Sequence, residues 1–447
     1  MEKFDTLTLE DLLKEGGWDC DCGRHHSVGL LYLKIERGAV RYVPEALRTL
    51  GKHKPFVVCD SNTKLAAWAQ VQSALEGAGI AYTLFEFTQS NVEPDEYAVG
   101  CLTMNFDPTC DVVLAIGSGV INDCCKVFAH AAGIPSMVVG TAPSMDGYAS
   151  NSASMIQNRV KVSLYNACPQ AVIADTDIMS RAPARMLWAG LGDMLAKYIS
   201  LCEWRISHLV TGEYYCENVA ALMRASLQSI VKAAPTLMQR EPETIGAVAK
   251  GLVLSGVAMA FAEISRPASG LEHYFSHLWE MMALERGTGY ELHGIQVGVG
   301  TLLSLQIYDC LRKQRPSREA AERFMKSFDE GWWEQNTRRI FGSAADTILE
   351  KAKREGKNDP AKQQERLERI LAHWEDILDI VNEELPPTAE ISALMKGLGM
   401  PMTPADLGIC KQDTRDALDG SRDIRDKYLT STMLWDLGLL YTFPVGE

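Results

Sequence analysis

At 447 residues the chain is too long for one ordinary hydrophobic core, so two domains are expected. An apolar fraction of 47% is that of a soluble globular protein, and a formal charge of −14 argues against a nonspecific nucleic-acid binder or a protein of anionic membrane surfaces. The opening MEKFDTLTLEDLLKEGG lacks a signal-peptide core, no apolar run is read as a membrane span, and the twelve cysteines are dispersed through apolar segments. A cytoplasmic protein with reduced thiols is expected.

Residues 5–15 predict a short helix. CDCGRHH follows, with Cys20, Cys22, His25 and His26 close in sequence. Its Cys-x-Cys spacing is tighter than the usual structural zinc pattern, so the segment reads as a small surface or interface turn rather than a second metal site. Residues 27–36 predict a strand and 55–59 (PFVVC) a short buried one. Over 63–78 Leu65, Trp68, Val71 and Leu75 recur at helical spacing, which places them on one face toward the core. Further strands are expected at 81–86, at 111–116 (DVVLAI) and at SMVVG, with the apolar helix NDCCKVFAHAAG before the last. Short Val-rich strands alternating with helices predict an α/β domain with a mostly parallel sheet, placed at 1–178.

From Ser180 the pattern changes to long helices, expected over 183–203, 215–232, 242–263, 270–285, 292–311, 317–327, 335–355 and 360–384. Residues 179–447 are therefore assigned to an all-helical domain with a helical C-terminal extension. The charged run KAKREGKNDPAKQQERLER intersperses both signs and reads as a solvated surface.

A parallel sheet receives ligands at the carboxyl ends of its strands. LAIGSG ends a strand with Gly117, Ser118 and Gly119 and opens onto a helix carrying Asp123 and Lys126. Glycines admit a phosphate closely, and the helix N-terminus offers unpaired N–H groups. Asp60, after PFVVC, stands where a carboxylate could accept both ribose hydroxyls of an adenosine and repel a 2′-phosphate, favouring NAD(H) over NADP(H); ordinary turn chemistry is the other reading. In TAPSMDGYASNSAS, Thr141, Ser144 and Asp146 bring two hydroxyls and a carboxylate into one turn, which is either a polar surface loop or a place to orient a polyol hydroxyl. Three of the nine histidines fall within 266–300. His273 and His277 are four apart, on one helical face, and His293 lies just before a glycine-rich apolar run. Glu272, Glu280 and Glu291 flank them. Imidazoles so grouped suit zinc, nickel or iron.

GSGVINDCCK, TAPSMDGYASNSAS, APARMLWAGLGDMLAKY, and SGLEHYFSH with ELHGIQVGVG stand in the order found in the iron-containing alcohol dehydrogenase, glycerol dehydrogenase and dehydroquinate synthase superfamily. Within it the chain resembles the sn-glycerol-1-phosphate dehydrogenases, above all the bacterial AraM-like group, through RPASG-EH, SMDGYAS and the terminal IRDKYLTSTMLWDLGLL. The likeness covers nearly the whole chain and implies a dehydroquinate synthase-like architecture.

The resemblance implies one divalent metal held by Asp193, His273 and His293, with Asp146 and His277 orienting substrate or relaying its proton. Zinc or nickel is implied. Lys197 stands where some iron-dependent relatives carry a further histidine. Asp60 maps to the adenosine ribose, Gly117, Ser118 and Gly119 to the pyrophosphate, and Thr141 and Ser144 to the nicotinamide side. The implied reaction is reversible reduction of dihydroxyacetone phosphate to sn-glycerol 1-phosphate by a homodimer, with Arg159, Lys161 and Arg266 as phosphate candidates. Alternatives are a glycerol or polyol dehydrogenase on an unphosphorylated substrate, a dehydroquinate synthase-like cyclase, and a nucleotide-binding regulator that kept the fold.

Overall fold

A computed structural model describes residues 3–89, 91–158 and 160–446. The chain forms two compact units, Met1–Met194 with Cys216–Pro267, and Leu195–Tyr215 with Ala268–Glu447.

Among the described residues the first unit contains ten strands: β1 (Trp18–Asp19), β2 (His25–His26), β3 (Tyr32–Glu36), β4 (Pro55–Asp60), β5 (Thr83–Phe87), β6 (Val112–Gly117), β7 (Ser136–Gly140), β8 (Ser152–Gln157), β9 (Val160–Tyr165) and β10 (Ala171–Asp175). Six form one sheet in the order β3-β10-β7-β6-β4-β5, and every pairing in it is parallel. β1–β2 and β8–β9 are antiparallel hairpins. The apolar runs of β4, β6, β7 and β10 are buried along their length, as a parallel sheet covered on both faces requires. The expected mostly parallel sheet is therefore present, and its strands at 55–59, 81–86 and 111–116 agree to within two residues. The strand expected at 27–36 is confined to Tyr32–Glu36, and β8, β9 and β10 escape the sequence reading altogether.

The longer helices are distributed over both units. In the first unit they are α1 (Ala69–Gly77), α2 (Glu96–Asn105), α3 (Gly119–Ala132) and α4 (Ala184–Leu195), the last running to the boundary between the units. Trp68, Val71 and Leu75 are buried as predicted, but Leu65 is 91% exposed. The turn Lys64–Trp68 is π-helical, and its wider winding carries Leu65 off the face that the 3.6-residue period assigns it.

Chain order then alternates between the units. α5 (Lys197–Thr211) belongs to the second, whereas α6 (Glu217–Ala233) and α7 (Pro242–Ala262) belong to the first and pack against each other. α7 corrects the expectation that no apolar run reaches a membrane span. Its 21 residues are long and apolar enough, but most of them are buried inside the protein.

The second unit is helical. It contains α8 (Leu271–Arg286) and α9 (His293–Leu311), which pack together, followed by α10 (Arg318–Ser327), α11 (Glu330–Phe341), α12 (Ala345–Glu355), α13 (Pro360–Ala372), α14 (Trp374–Glu384), α15 (Thr388–Gly397) and α16 (Lys411–Ser421). Three expected long helices are each two: 183–203 breaks at Ala196, 335–355 at Gly342 and 360–384 at His373. Gly342, with φ of +50°, adopts a backbone that other residues rarely take. The glycine run of α9 also has a packing reason. A Cβ on Gly300 would stand 2.4 Å from the Glu272 carbonyl oxygen, so the close approach of α8 and α9 depends on its absence.

Candidate active site

In the first unit the sheet order reverses around β4, whose neighbours are β5 on one side and β6 on the other. A reversal of this kind opens a crevice at the carboxyl ends of the two strands. Asp60 ends β4 and Gly117 ends β6, so the residues assigned to the cofactor stand at that crevice. Ser118 has φ of −117°, outside the left-handed region that favours glycine, so serine can stand in place of the commoner middle glycine. Gly117 is constrained differently, because a Cβ there would stand 2.6 Å from Ile121 Cβ. α3 begins at Gly119 and presents its N-terminal end to the same place.

Asp60 also has a local task. Its Oδ1 accepts the Thr63 N–H at 2.7 Å while its own N–H donates to Thr63 Oγ1 at 2.9 Å, a capping box at the start of the following helix. Lys126 is fully buried. Its ammonium pairs with Asp123 Oδ1 at 2.9 Å and donates to the carbonyls of Gly147 (3.2 Å) and Ser152. Asp123 Oδ2 in turn accepts the Ser154 N–H at 2.9 Å. The two residues thus fasten the segment 147–154 to α3. Cys124 and Cys125 are buried beside them, and burial pushes both thiols far above their ordinary range, which fits packing residues rather than nucleophiles.

The turn 141–146 is held from several sides. The Thr141 N–H donates to the Gly117 carbonyl at 3.1 Å, and the Tyr148 hydroxyl donates to the Ala142 carbonyl at 2.7 Å. α4 and α7 close on this turn through glycines. A Cβ on Gly190 would lie 1.9 Å from the Pro143 oxygen, and one on Gly256 would lie 2.9 Å from the Asp146 oxygen. Asp146 and Asp193 are brought together, the Asp146 N–H donating to Asp193 Oδ2 at 3.0 Å, while Asp146 Oδ2 accepts from Ser255 Oγ at 2.8 Å. Asp193 is 2% exposed, and Thr141 and Ser144 are buried. Lys161 lies on β9 opposite Ile156, Arg266 is buried beyond the end of α7, and Arg159 lies outside the described residues.

In the second unit the three histidines converge. The rings of His273 and His293 have centroids 5.3 Å apart, His277 and His293 5.5 Å, and His273 and His277 6.2 Å. Each of the two expected ligands has a carboxylate behind it. His273 Nδ1 is 2.8 Å from Glu272 Oε1, and His293 Nδ1 is 2.8 Å from Glu280 Oε1; both glutamates are essentially inaccessible to solvent. Ser276 Oγ reaches His293 Nδ1 at 3.0 Å and donates to Glu280 Oε1 at 3.2 Å. Carboxylates on Nδ1 place that proton and leave each Nε2 lone pair as the ligating atom, an arrangement typical of metal-binding imidazoles. Each of the two imidazoles therefore presents a nitrogen able to ligate a divalent metal. Glu272 and Glu280, which in the sequence stand out only as neighbours of the histidines, are the carboxylates behind these two rings. Lys197, where some relatives carry a histidine, is buried and donates to the Ala268 carbonyl at 3.2 Å.

Residues 34–183 match the family model described as iron-containing alcohol dehydrogenase. The chain is similar to a protein of Geobacillus stearothermophilus named glycerol-1-phosphate dehydrogenase [NAD(P)+], 32% identical over 332 residues, covering 73% of this chain and 81% of the relative. A namesake in Halalkalibacterium halodurans is 29% identical over 413 residues, with 92% and 93% covered. Among solved structures, glycerol dehydrogenase from Schizosaccharomyces pombe shares the fold, with a TM-score of 0.62 at 15% identity over 96% of this chain and 92% of that one. Fold and site together define a metal-dependent, NAD(P)-linked oxidoreductase. The chain belongs to the iron-containing alcohol dehydrogenase family, in its glycerol-1-phosphate dehydrogenase branch.

Proposed function

We propose that the protein interconverts dihydroxyacetone phosphate and sn-glycerol 1-phosphate with NAD(H) in preference to NADP(H), reduction being the direction in the cell. The observation that carries the metal-dependent part of this reading is the pair of buried glutamates behind His273 and His293. The similarity to proteins named glycerol-1-phosphate dehydrogenase supports the choice of substrate.

Asp193, His273 and His293 would hold one divalent ion, zinc or nickel, both of which accept a carboxylate and two imidazoles. When bound, the ion would supply Lewis acidity toward the ketone oxygen and a nicotinamide would supply the hydride. The chain's own residues do the rest. Glu272 and Glu280 fix the tautomer and direction of the two ligand rings. Asp146, buttressed by Ser255, orients a substrate hydroxyl, and His277 passes a proton to the alcohol oxygen as it forms. Asp60 takes the adenosine ribose, Gly117, Ser118 and Gly119 take the pyrophosphate, and Thr141 and Ser144 line the nicotinamide side. Asp123 and Lys126 support that pocket by anchoring residues 147–154. Lys161, Arg266 and Arg159 are the proposed sources of positive charge for the substrate phosphate.

The test is NADH oxidation by metal-stripped protein to which zinc or nickel is restored, with dihydroxyacetone phosphate and unphosphorylated dihydroxyacetone compared. Metal-dependent turnover of the phosphorylated ketone, giving the 1-phosphate enantiomer on chiral analysis, is expected. Equal or better turnover of the unphosphorylated ketone would assign the protein to polyol metabolism instead.

A further inference from the structure

The N-terminal CDCGRHH segment does not form an ordinary surface turn. Cys20 is 8% exposed and His26 fully buried, and the residue that joins them is Cys216, 196 positions from Cys20 and 1% exposed. Cys20 Sγ lies 3.6 Å from Cys216 Sγ, Cys22 Sγ 3.3 Å from His26 Nε2, and Cys216 Sγ 3.6 Å from His26 Nε2. The four donor atoms all fall within 4.8 Å of one another. All four residues belong to the first unit.

We propose that Cys20, Cys22, His26 and Cys216 form a tetrahedral structural zinc site, separate from the proposed catalytic metal. Bonds of ~2.3 Å to sulfur and ~2.0–2.1 Å to nitrogen give tetrahedral edges of about 3.8 Å between sulfurs and about 3.6 Å between sulfur and nitrogen. The three separations of 3.6, 3.3 and 3.6 Å lie close to those edges, whereas a sulfur pair at 3.6 Å is far from covalent bonding.

The surroundings are those of a ligand set. His26 Nδ1 is 2.6 Å from the Phe261 carbonyl oxygen, so Nδ1 carries the proton and the Nε2 lone pair faces the sulfurs. Asn218 donates an amide N–H to Cys20 Sγ at 3.3 Å, as suits a thiolate. Cys216 is the N-cap of the 17-residue α6, where the helix dipole favours negative charge. Phe4 and Phe261 pack against the His26 ring at centroid distances of 5.5 and 5.7 Å and shield it from water. Gly23, with φ of +80°, allows the tight turn between β1 and β2 that carries Cys20 and Cys22. Four protein ligands leave no open position, which marks a structural rather than a catalytic site. Its effect is to tie the two-residue strands β1 and β2 to α6 and to the end of α7. His25 takes no part. As the neighbour of His26 in β2 it faces the other way and pairs with Asp19 at 2.9 Å.

The test uses the full-length chain as H273A/H293A, which disables the proposed catalytic site, loaded with zinc or with cobalt(II). About one zinc per chain, retained through dialysis against EDTA, is expected, and the cobalt form should show an intense thiolate-to-metal charge-transfer band in the near ultraviolet. C22S/C216S in the same background should lose both. A zinc content near zero together with a cobalt spectrum lacking that band would overturn the proposal. Should C22S/C216S fail to fold, the cobalt spectrum of H273A/H293A decides alone. Neither result bears on the substrate assignment.

Discussion

Glu280 Oε1 and His293 Nδ1 stand 2.8 Å apart, one turn of α8 beyond Ser276, with the carboxylate 1% exposed. A carboxylate is not left there without a charged or hydrogen-bonding partner, and the imidazole and the Ser276 hydroxyl both serve it. The pair sets which nitrogen of His293 is available to a metal. Replacing the carboxylate by an amide keeps the shape and removes the charge. Glu280→Gln is expected to weaken metal affinity about 10–100-fold, and Glu272→Gln to act similarly through His273. Competition with a chromogenic chelator reads this directly, and unchanged affinity in both variants would remove the orienting role.

The contact between Gly190 and the Pro143 carbonyl makes a sharper steric prediction. A methyl group at 190 would sit 1.9 Å from a backbone oxygen, so either α4 or the 141–146 turn must shift. Gly190→Ala is expected to cost about 1–3 kcal/mol and to lower kcat, because Asp193 lies on the same helix and Asp146 on the same turn. Gly100→Ala is the control. Nothing lies within 4 Å of a Cβ at that position in α2, and removing a helical glycine should stabilise by about 0.5–1 kcal/mol. Thermal unfolding compares the two, and a stable, fully active Gly190→Ala variant would contradict the packing argument.

Lys126 joins α3 to the 147–154 segment through one buried ammonium. Lys126→Met leaves the partly buried Asp123 carboxylate without its cation and two carbonyls without their donor. A loss of about 3–5 kcal/mol is expected. The urea midpoint reads the stability, and an accompanying rise in KM for NADH, with a smaller effect on kcat, is the result expected if the 147–154 segment supports the proposed cofactor pocket. Stability within error of the parent would show that the network contributes little.

Asp111 gives a pH-dependent test. Burial alone would raise its carboxyl, but the N–H groups of Lys54 and His53, with the His53 ring, outweigh burial and hold it below its ordinary value of 3.8. A carboxyl lowered in the folded state adds stability that is fully present above its unfolded pKa and is lost as pH falls through the folded value. Asp111→Ala should therefore cost about 1–2 kcal/mol at pH 7 and progressively less below pH ~4. Denaturant midpoints across that range check the sign.

The buried strands of the parallel sheet and the change to long helices after Ser180 are legible because burial on both faces, or on one helical face, leaves a short-range signature in residue order. The paired histidines on α8 are legible for the same reason, since a spacing of four places two rings on one face. β8 and β9 are not, because alternating small and polar residues such as SASMIQ become strands only when they find each other in a hairpin. The helix breaks at Ala196 and His373 also escape sequence periodicity, which continues across them.

Cys20 and Cys216 mark the clearest boundary between what local order determines and what folding adds. In sequence the CDCGRHH segment offers half a ligand set and an adjacent histidine pair. The fold turns His25 away, buries His26 against Phe261 and brings in Cys216 from the N-terminus of α6. Asp123 with Lys126, and Asp146 with Asp193, follow the same rule. Residue types and their spacing determined which chemistries this chain could hold, because those properties are local. Tertiary structure decided which groups meet and which nitrogen or oxygen faces which partner, because such pairings arise only when distant segments exclude water from a shared core.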